Sequence, residues 1–238
     1  MENISVLDVD IEVVRKNIKN VHLRVYPPDG FVRVSVPAEM KTEAIRLFLV
    51  EKLGWIRKQQ KAFRQTERQS SREFLQRESH YFLGDRYLLE VVEGFESQRV
   101  YLKNKKTLTI HLRPEASSSK AQDVMDVFYR TELKKIIAEY IPIWEEKIGV
   151  KVEEWQIRKM RTRWGTCNPE KKRIWLNLEL AKKPSRCIEY IIVHEMMHLL
   201  ERNHNEHFVN LMDTYLPNWP ALRHELNNLP VSHADWNY

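Results

Sequence analysis

Cysteine and glycine are scarce in this chain. Its 238 residues include two cysteines and six glycines. Cys167 and Cys187 stand in different contexts, which excludes a disulfide framework and makes a reducing compartment, the cytoplasm, the expected location. No run of about 18 apolar residues exists, so no membrane span is expected. The opening M-E-N-I-S-V-L-D-V-D carries acids early and lacks the basic start and apolar stretch of a secretory signal. No P-loop or phosphate-cradling glycine loop appears, and no zinc-finger or helix-turn-helix pattern. No internal repeat or low-complexity tract is evident. Charge of one sign is also limited. The balance of 39 basic and 33 acidic residues leaves +6, which permits nucleic acid or nucleotide partners without requiring them. Much of that excess lies in Lys52–Arg77, read as a solvated helix face rather than a phosphate-binding track.

What is present suffices for a core, since 42% of the residues are hydrophobic. The first third alternates as strands do. Asp10–Arg15, Val21–Tyr26 and the stretch F-V-R-V-S-V-P from Phe31 fit this pattern, and P-P-D-G at Pro27–Gly30 is turn chemistry joining a hairpin. Thr42–Lys61 reads as an amphipathic helix with Ile45, Phe48, Leu49, Leu53 and Ile56 at helical spacing. Gln65–Arg77 is polar, a loop or a helix extension. His80–Glu93, Arg99–Leu102 and Thr107–Leu112 read as short strands, and Pro114–Lys120 as a linker. Beyond it come a long helix over Gln122–Lys147 ending near Gly149, strands at Glu154–Met160 and Arg173–Leu178, and helices near His207–Tyr215 and Trp219–Leu229. The class is α+β. An N-terminal β-rich region with a helix is expected over residues 1–115, and a second domain over residues 121–238.

The stretch Ile191–Leu200 reads I-I-V-H-E-M-M-H-L-L, and its polar residues are His194, Glu195 and His198. A helix apolar on every side is a buried helix, and Ser185, just after Pro184, is a suitable cap for its start. Two imidazoles and a carboxylate inside it cost several kcal/mol unless they are compensated. A divalent cation would compensate them. His194 and His198 lie four residues apart, so they share one helix face. Glu195 sits about 100° around from His194, within reach of a water on the metal. This is the H-E-x-x-H arrangement of zinc hydrolases. Catalytic zinc takes three protein ligands and leaves one position open. His204 follows His198 by six residues, the metzincin spacing, although Glu201 stands where that pattern has glycine. Asn203 tolerates the left-handed conformation that would turn the chain back. His204 is the preferred third ligand, with His207 and Glu225 as rivals. Zn2+ is the expected metal, while Ni2+ and Co2+ suit the same imidazoles.

The order M-R-T-R-W-G-T-C, then R-I-W-L-N-L-E-L, then Y-I-I-V-H-E-M-M-H-L-L-E-R-N-H-N-E-H-F resembles the YgjP-like metallopeptidases, relatives of the SprT-like and WLM proteases. V-H-L-R-V-Y-P-P-D-G-F-V-R-V-S-V-P and G-W-I fit in the N-terminal half. The resemblance implies a zincin-like domain: a long helix, a small sheet, then the H-E-x-x-H helix. It implies His204 as third ligand and a zinc-dependent peptidase acting on a polypeptide, with Glu195 as general base. It also favours a cleft wall made of Trp164, Gly165 and Thr166, with Arg161 or Arg163 holding an anionic group or steadying an oxyanion. Arg173–Leu178 is then an edge strand able to add a peptide strand. The plainer reading is a tight turn with Trp164 in the core. Cys167 reads as a small core residue, with metal coordination in a resting enzyme as the other option. Asn177 is expected to bond the sheet or the site. Competing functions are hydrolysis of a nucleotide phosphoanhydride, suggested by Lys159, Arg161 and Arg163 near the cleft, and a nucleic-acid-associated protease of the SprT-like kind. A non-catalytic module with a structural metal is the last, and Glu195 argues against it.

Overall fold

A computed structural model of the chain describes residues 2–26, 30–65, 72–160 and 163–229. The P-P-D-G turn, the polar stretch after Gln65 and Arg161 fall partly or wholly outside them. Among the described residues no helix is long and apolar enough to cross a membrane. Two compact units form, one ending by Gln65 and the other running from Arg72 to Leu229.

Alternation of apolar residues builds the first unit. β1 (Glu2–Val6), β2 (Val9–Lys16), β3 (His22–Tyr26) and β4 (Phe31–Pro37) form a sheet in the order β1-β2-β4-β3. The expected hairpin pairs Tyr26 with Phe31 antiparallel. Val32, Val34 and Val36 point to one face, and α1 (Thr42–Gln65) lays Ile45, Leu49, Leu53 and Ile56 into the same core. Each such side chain contributes about 1.5–3 kcal/mol relative to exposure. Of the basic stretch, the part up to Gln65 lies on α1, where Lys52 pairs with Glu51 and Arg57 with Asp8, and residues 72–77 lie outside any helix.

In the second unit, β5 (Ser79–Phe82), β6 (Asp85–Glu93), β7 (Arg99–Asn104) and β8 (Thr107–Leu112) form a sheet in the order β5-β6-β8-β7. Its order and strand directions repeat those of the first sheet: antiparallel, parallel, antiparallel. Both sheets open on a two-residue turn that begins with a leucine at positive φ, Leu7 at 53° and Leu83 at 49°. The chain therefore carries a structural repeat that the sequence reading does not detect. Strand order and turn geometry are shared although the residues at corresponding positions differ.

α2 (Ser118–Ile148) follows, and Ser117 caps it by accepting from the Lys120 amide at 3.3 Å. Pro114–Lys120 is thus not a free linker. Its serines supply the cap and first turn of a helix, the role serine fills best. Along α2, Tyr129 donates to the Tyr81 carbonyl at 2.8 Å and Trp144 to Glu189 at 3.1 Å, and Arg130 donates to the Ile157 carbonyl. The second sheet is therefore bonded to the helices that follow it, and the compact units divide ahead of residues 115–121.

A three-stranded sheet comes next: β9 (Glu154–Arg158), β10 (Gly165–Asn168) and β11 (Arg173–Asn177), in the order β10-β11-β9. Arg173–Leu178 is expected at the edge, yet β11 lies in the middle, with β10 and β9 at the two edges. A 3-10 turn over Leu178–Lys182 leads into α3 (Ser185–Met197), then α4 (Glu206–Tyr215) and α5 (Trp219–Asn228). Ser185 is the first residue of α3, not its cap. Pro184 holds the cap position, where its carbonyl accepts from the Cys187 and Ile188 amides at 2.8 and 3.2 Å.

The β5–β6 turn braces this entry. Leu83 and Gly84 donate backbone N–H groups to the carbonyls of Ala181 and Lys182 at 2.9 and 3.2 Å. Gly84 has φ 89°, and a Cβ there would lie 2.7 Å from Cγ of Pro184. Gly84→Ala should therefore lower the stability by about 1–3 kcal/mol, the range for a strained backbone position. Denaturant unfolding with an unchanged midpoint would show that the turn does not depend on glycine.

Candidate metal centre

α3 is buried along almost its whole length, as its composition requires. Ile191, Ile192, Val193, Met196 and Met197 are fully enclosed, and His194 and Glu195 are 6% and 2% exposed. His198 stands at the C-terminal cap, so the helix ends on the second histidine of the motif. The return of the chain uses no left-handed residue at Asn203. Instead the Glu201 carboxylate accepts from the Asn203 amide at 2.9 Å, and the Asn205 amide donates to the Asn203 carbonyl at 2.8 Å. A glutamate at the metzincin glycine position is thus used twice, because its backbone carbonyl also faces Nδ1 of His198 at 3.0 Å.

This turn brings His204 back to α3. His194, His198 and His204 each offer one ring nitrogen, and the three atoms lie within 4.8 Å of one another. Nε2 of His194 and Nε2 of His204 are 3.0 Å apart. Around a tetrahedral ion at about 2.0–2.1 Å, neighbouring nitrogens stand about 3.3 Å apart, a spacing that the His194–His204 pair comes near. The Glu201 carbonyl assigns the Nδ1 proton of His198 and leaves its Nε2 lone pair for a metal. Burial pushes the His194 pKa down to about 3, with His198, His204 and Arg223 acting in the same direction. Burial lowers His198 and His204 as well. All three are thereby held as neutral imidazoles, the form that ligates metals. The rivals stand elsewhere: His207 is exposed on α4, and both carboxylate oxygens of Glu225 are taken by Arg186.

Phe208 is the floor of the cluster. It is 3% exposed, and its ring centroid lies 5.1, 4.8 and 4.7 Å from those of His194, His198 and His204. Sequence reasoning gave it no role. Its only signal was its position as the first apolar residue after the histidine-rich loop.

The cluster opens into a cavity of about 720 Å³. One side is β10, through Gly165, Thr166, Cys167 and Asn168, and Arg163 lies just ahead of that strand. The other side comes from α3 and the loop after it, including Leu199, Leu200 and Arg202. Trp164 does not line the cavity. Its ring is buried, with Nζ of Lys183 5.4 Å from the ring centroid. Asn177, fully buried, clasps this segment. Its Nδ2 donates to the carbonyls of Met160 and Arg163 at 2.8 Å each, and its backbone amide donates to the Trp164 carbonyl at 2.8 Å. Gly165 is there because β10 runs against α3. A Cβ at this position would lie 2.6 Å from both Cγ and Oε1 of Glu195. Cys167 lines the cavity but stands outside the converging nitrogen group, and burial, then Glu195, pushes its thiol up to about 12. Lys159 pairs with Asp126, which removes one of the cations that had suggested a nucleotide substrate.

Residues 19–229 match the YgjP-like family over its metallopeptidase domain. The chain belongs to the YgjP-like family. A YgjP-like chain is a metallopeptidase-type hydrolase and works with a divalent metal. Comparison with curated proteins gives no match.

Removing the floor of this YgjP-like site should loosen the nitrogens above it. Phe208→Ala should cost about 3–5 kcal/mol in stability and weaken divalent metal binding, while Phe208→Leu should recover most of both. Calorimetric titration with Zn2+ giving one affinity for all three proteins would remove the positioning role of the ring.

Proposed function

We propose that the chain is a zinc-dependent peptidase in which His194, His198 and His204 hold the metal and Glu195 is the general base. The observation that carries this reading is the convergence of three ring nitrogens beside a buried carboxylate, at the foot of a cavity with an edge strand along one wall. Zinc suits three neutral imidazoles with a position left open, and Ni2+ or Co2+ would fit the same donors. When bound, the metal supplies Lewis-acid polarisation of the attacked carbonyl and lowers the pKa of a coordinated water.

The chain's own residues account for the rest. Glu195 accepts a proton from the attacking water and passes it to the leaving amine nitrogen. Its position is fixed by the absent side chain at Gly165. β10 pairs with β11 on one side only, so its outer edge is suited to an extended polypeptide added as a further strand. Gly165 and Thr166 then face the substrate directly, and Trp164 anchors the strand from behind. The thiols of Cys167 and Cys187 are both free, which supports a cytoplasmic site of action.

Glu195→Gln should keep its metal and lose at least about a hundredfold in turnover on an unfolded protein substrate. His204→Ala should lose the metal itself. Elemental analysis beside a cleavage assay separates these roles, and a Glu195→Gln protein of undiminished turnover would end the general-base assignment. Gly165→Ala should leave the metal in place and lower turnover at least about tenfold, because even a methyl group must displace Glu195. Unimpaired turnover in that variant would mean that the carboxylate tolerates movement.

A further inference from the structure

The cavity lining holds an asymmetry of charge that the catalytic groups do not use. Arg163 enters it from the strand side and Arg202 from the loop after α3. Both are exposed. Among the described residues neither guanidinium has an ion-pair partner. In the same unit Arg72, Arg173 and Arg186 are each ion-paired, with Glu78, Glu154 and Glu225 respectively. The exposed carboxylate of the lining is Glu170, which stands beyond Pro169 at the far end of β10 from Arg163. Glu195 lies at the bottom, almost wholly enclosed.

Free guanidiniums on opposite walls of a cleft are donor forks without an acceptor. Their planar N–H pairs match a carboxylate in both spacing and charge. A substrate strand lying along β10 would pass between them.

We propose that the cleft selects polypeptides carrying a carboxylate close to the scissile bond, bound by Arg163 and Arg202. This rests on the peptidase reading above. The carboxylate comes either from an Asp or Glu side chain or from the C-terminus of the substrate, and the two sources call for different peptides. Exposed ion pairs are worth about 0.2–1 kcal/mol, so each arginine is expected to contribute up to about fivefold. The effect fades as salt screens it.

The test measures binding and cleavage on the same peptides. Fluorescent peptides of one apolar sequence would carry a central Asp–Glu pair with an amidated end, a central Lys pair with an amidated end, no charged side chain with an amidated end, or no charged side chain with a free C-terminus. Binding is read by anisotropy on the zinc-loaded Glu195→Gln protein. At low salt a carboxylate-bearing peptide should bind at least about threefold tighter than the uncharged amidated one, and the Lys peptide weaker. The winning peptide identifies the source. Arg163→Gln with Arg202→Gln should erase the preference, and Arg163→Glu with Arg202→Glu should turn it toward the Lys peptide. Equal affinities for all four peptides, or a preference untouched by these pairs, would overturn the proposal. Should the preference hold while the unsubstituted zinc protein leaves every peptide intact, the carboxylate site stands and the peptidase reading falls.

Discussion

Everything in the second unit answers to one constraint, the meeting within 4.8 Å of three imidazole nitrogens, one from the buried helix, one from its end and one from the exposed turn that follows. Protonated imidazoles would repel one another there, most strongly at the buried His194. Desolvation lowers the pKa of each ring and favours the neutral form. The arrangement survives only if each ring is fixed from outside. α3 fixes His194 through its own packing, the Glu201 carbonyl fixes His198, and the turn closed by the Glu201 carboxylate returns His204. Phe208 lies against all three rings.

Glu195, the proposed general base, and β10, the proposed substrate-facing edge, form one mechanical part. β10 approaches α3 so closely at Gly165 that Glu195 occupies the space of a side chain. Such contact requires a strand that does not drift, and Asn177 supplies the restraint. A fully buried amide must have its hydrogen bonds met. Asn177 meets them on the carbonyls of Met160 and Arg163 and on the Glu179 amide. Movement of β11 would thus be felt at Gly165 and at the carboxylate behind it.

Much of this was legible in the sequence, for identifiable reasons. The apolar frame around His194, Glu195 and His198 can only be a buried helix, and the spacing to His204 follows from the length of one turn. Alternation gave most of the strands, since pleating has a fixed period of two residues. Long-range facts escaped. Whether β10 or β11 is the edge depends on which strand pairs with β9, and no local signal in R-I-W-L-N encodes that. The serines of Pro114–Lys120 looked like a linker because caps and loops draw on the same residues. Asn203 looked like a left-handed turn residue, but a neighbouring carboxylate closed the turn instead. Phe208 and Arg202 reach the site through tertiary placement, which periodicity cannot express.

The two four-stranded sheets show how a repeated design is fitted to a site. Each begins with a hairpin turned by a leucine at positive φ, so the backbone problem is solved in the same way twice. The second turn residue is where they part. In the first sheet it is Asp8, which pairs with Arg57, and Leu7 beside it is 79% exposed. In the second it is Gly84, pressed against Pro184 with its amide bonded to Lys182. An aspartate could not occupy that place, since its Cβ alone would strike the proline ring. Where the first sheet has a solvated Asp, the second has a Gly that lies against Pro184, the residue from which α3 starts. The backbone bonds from Leu83 to Ala181 and from Gly84 to Lys182 brace the origin of α3, and His194 lies fewer than three helical turns beyond that origin. The orientation of the first ligand thus begins in a sheet that contributes no atom to the metal centre.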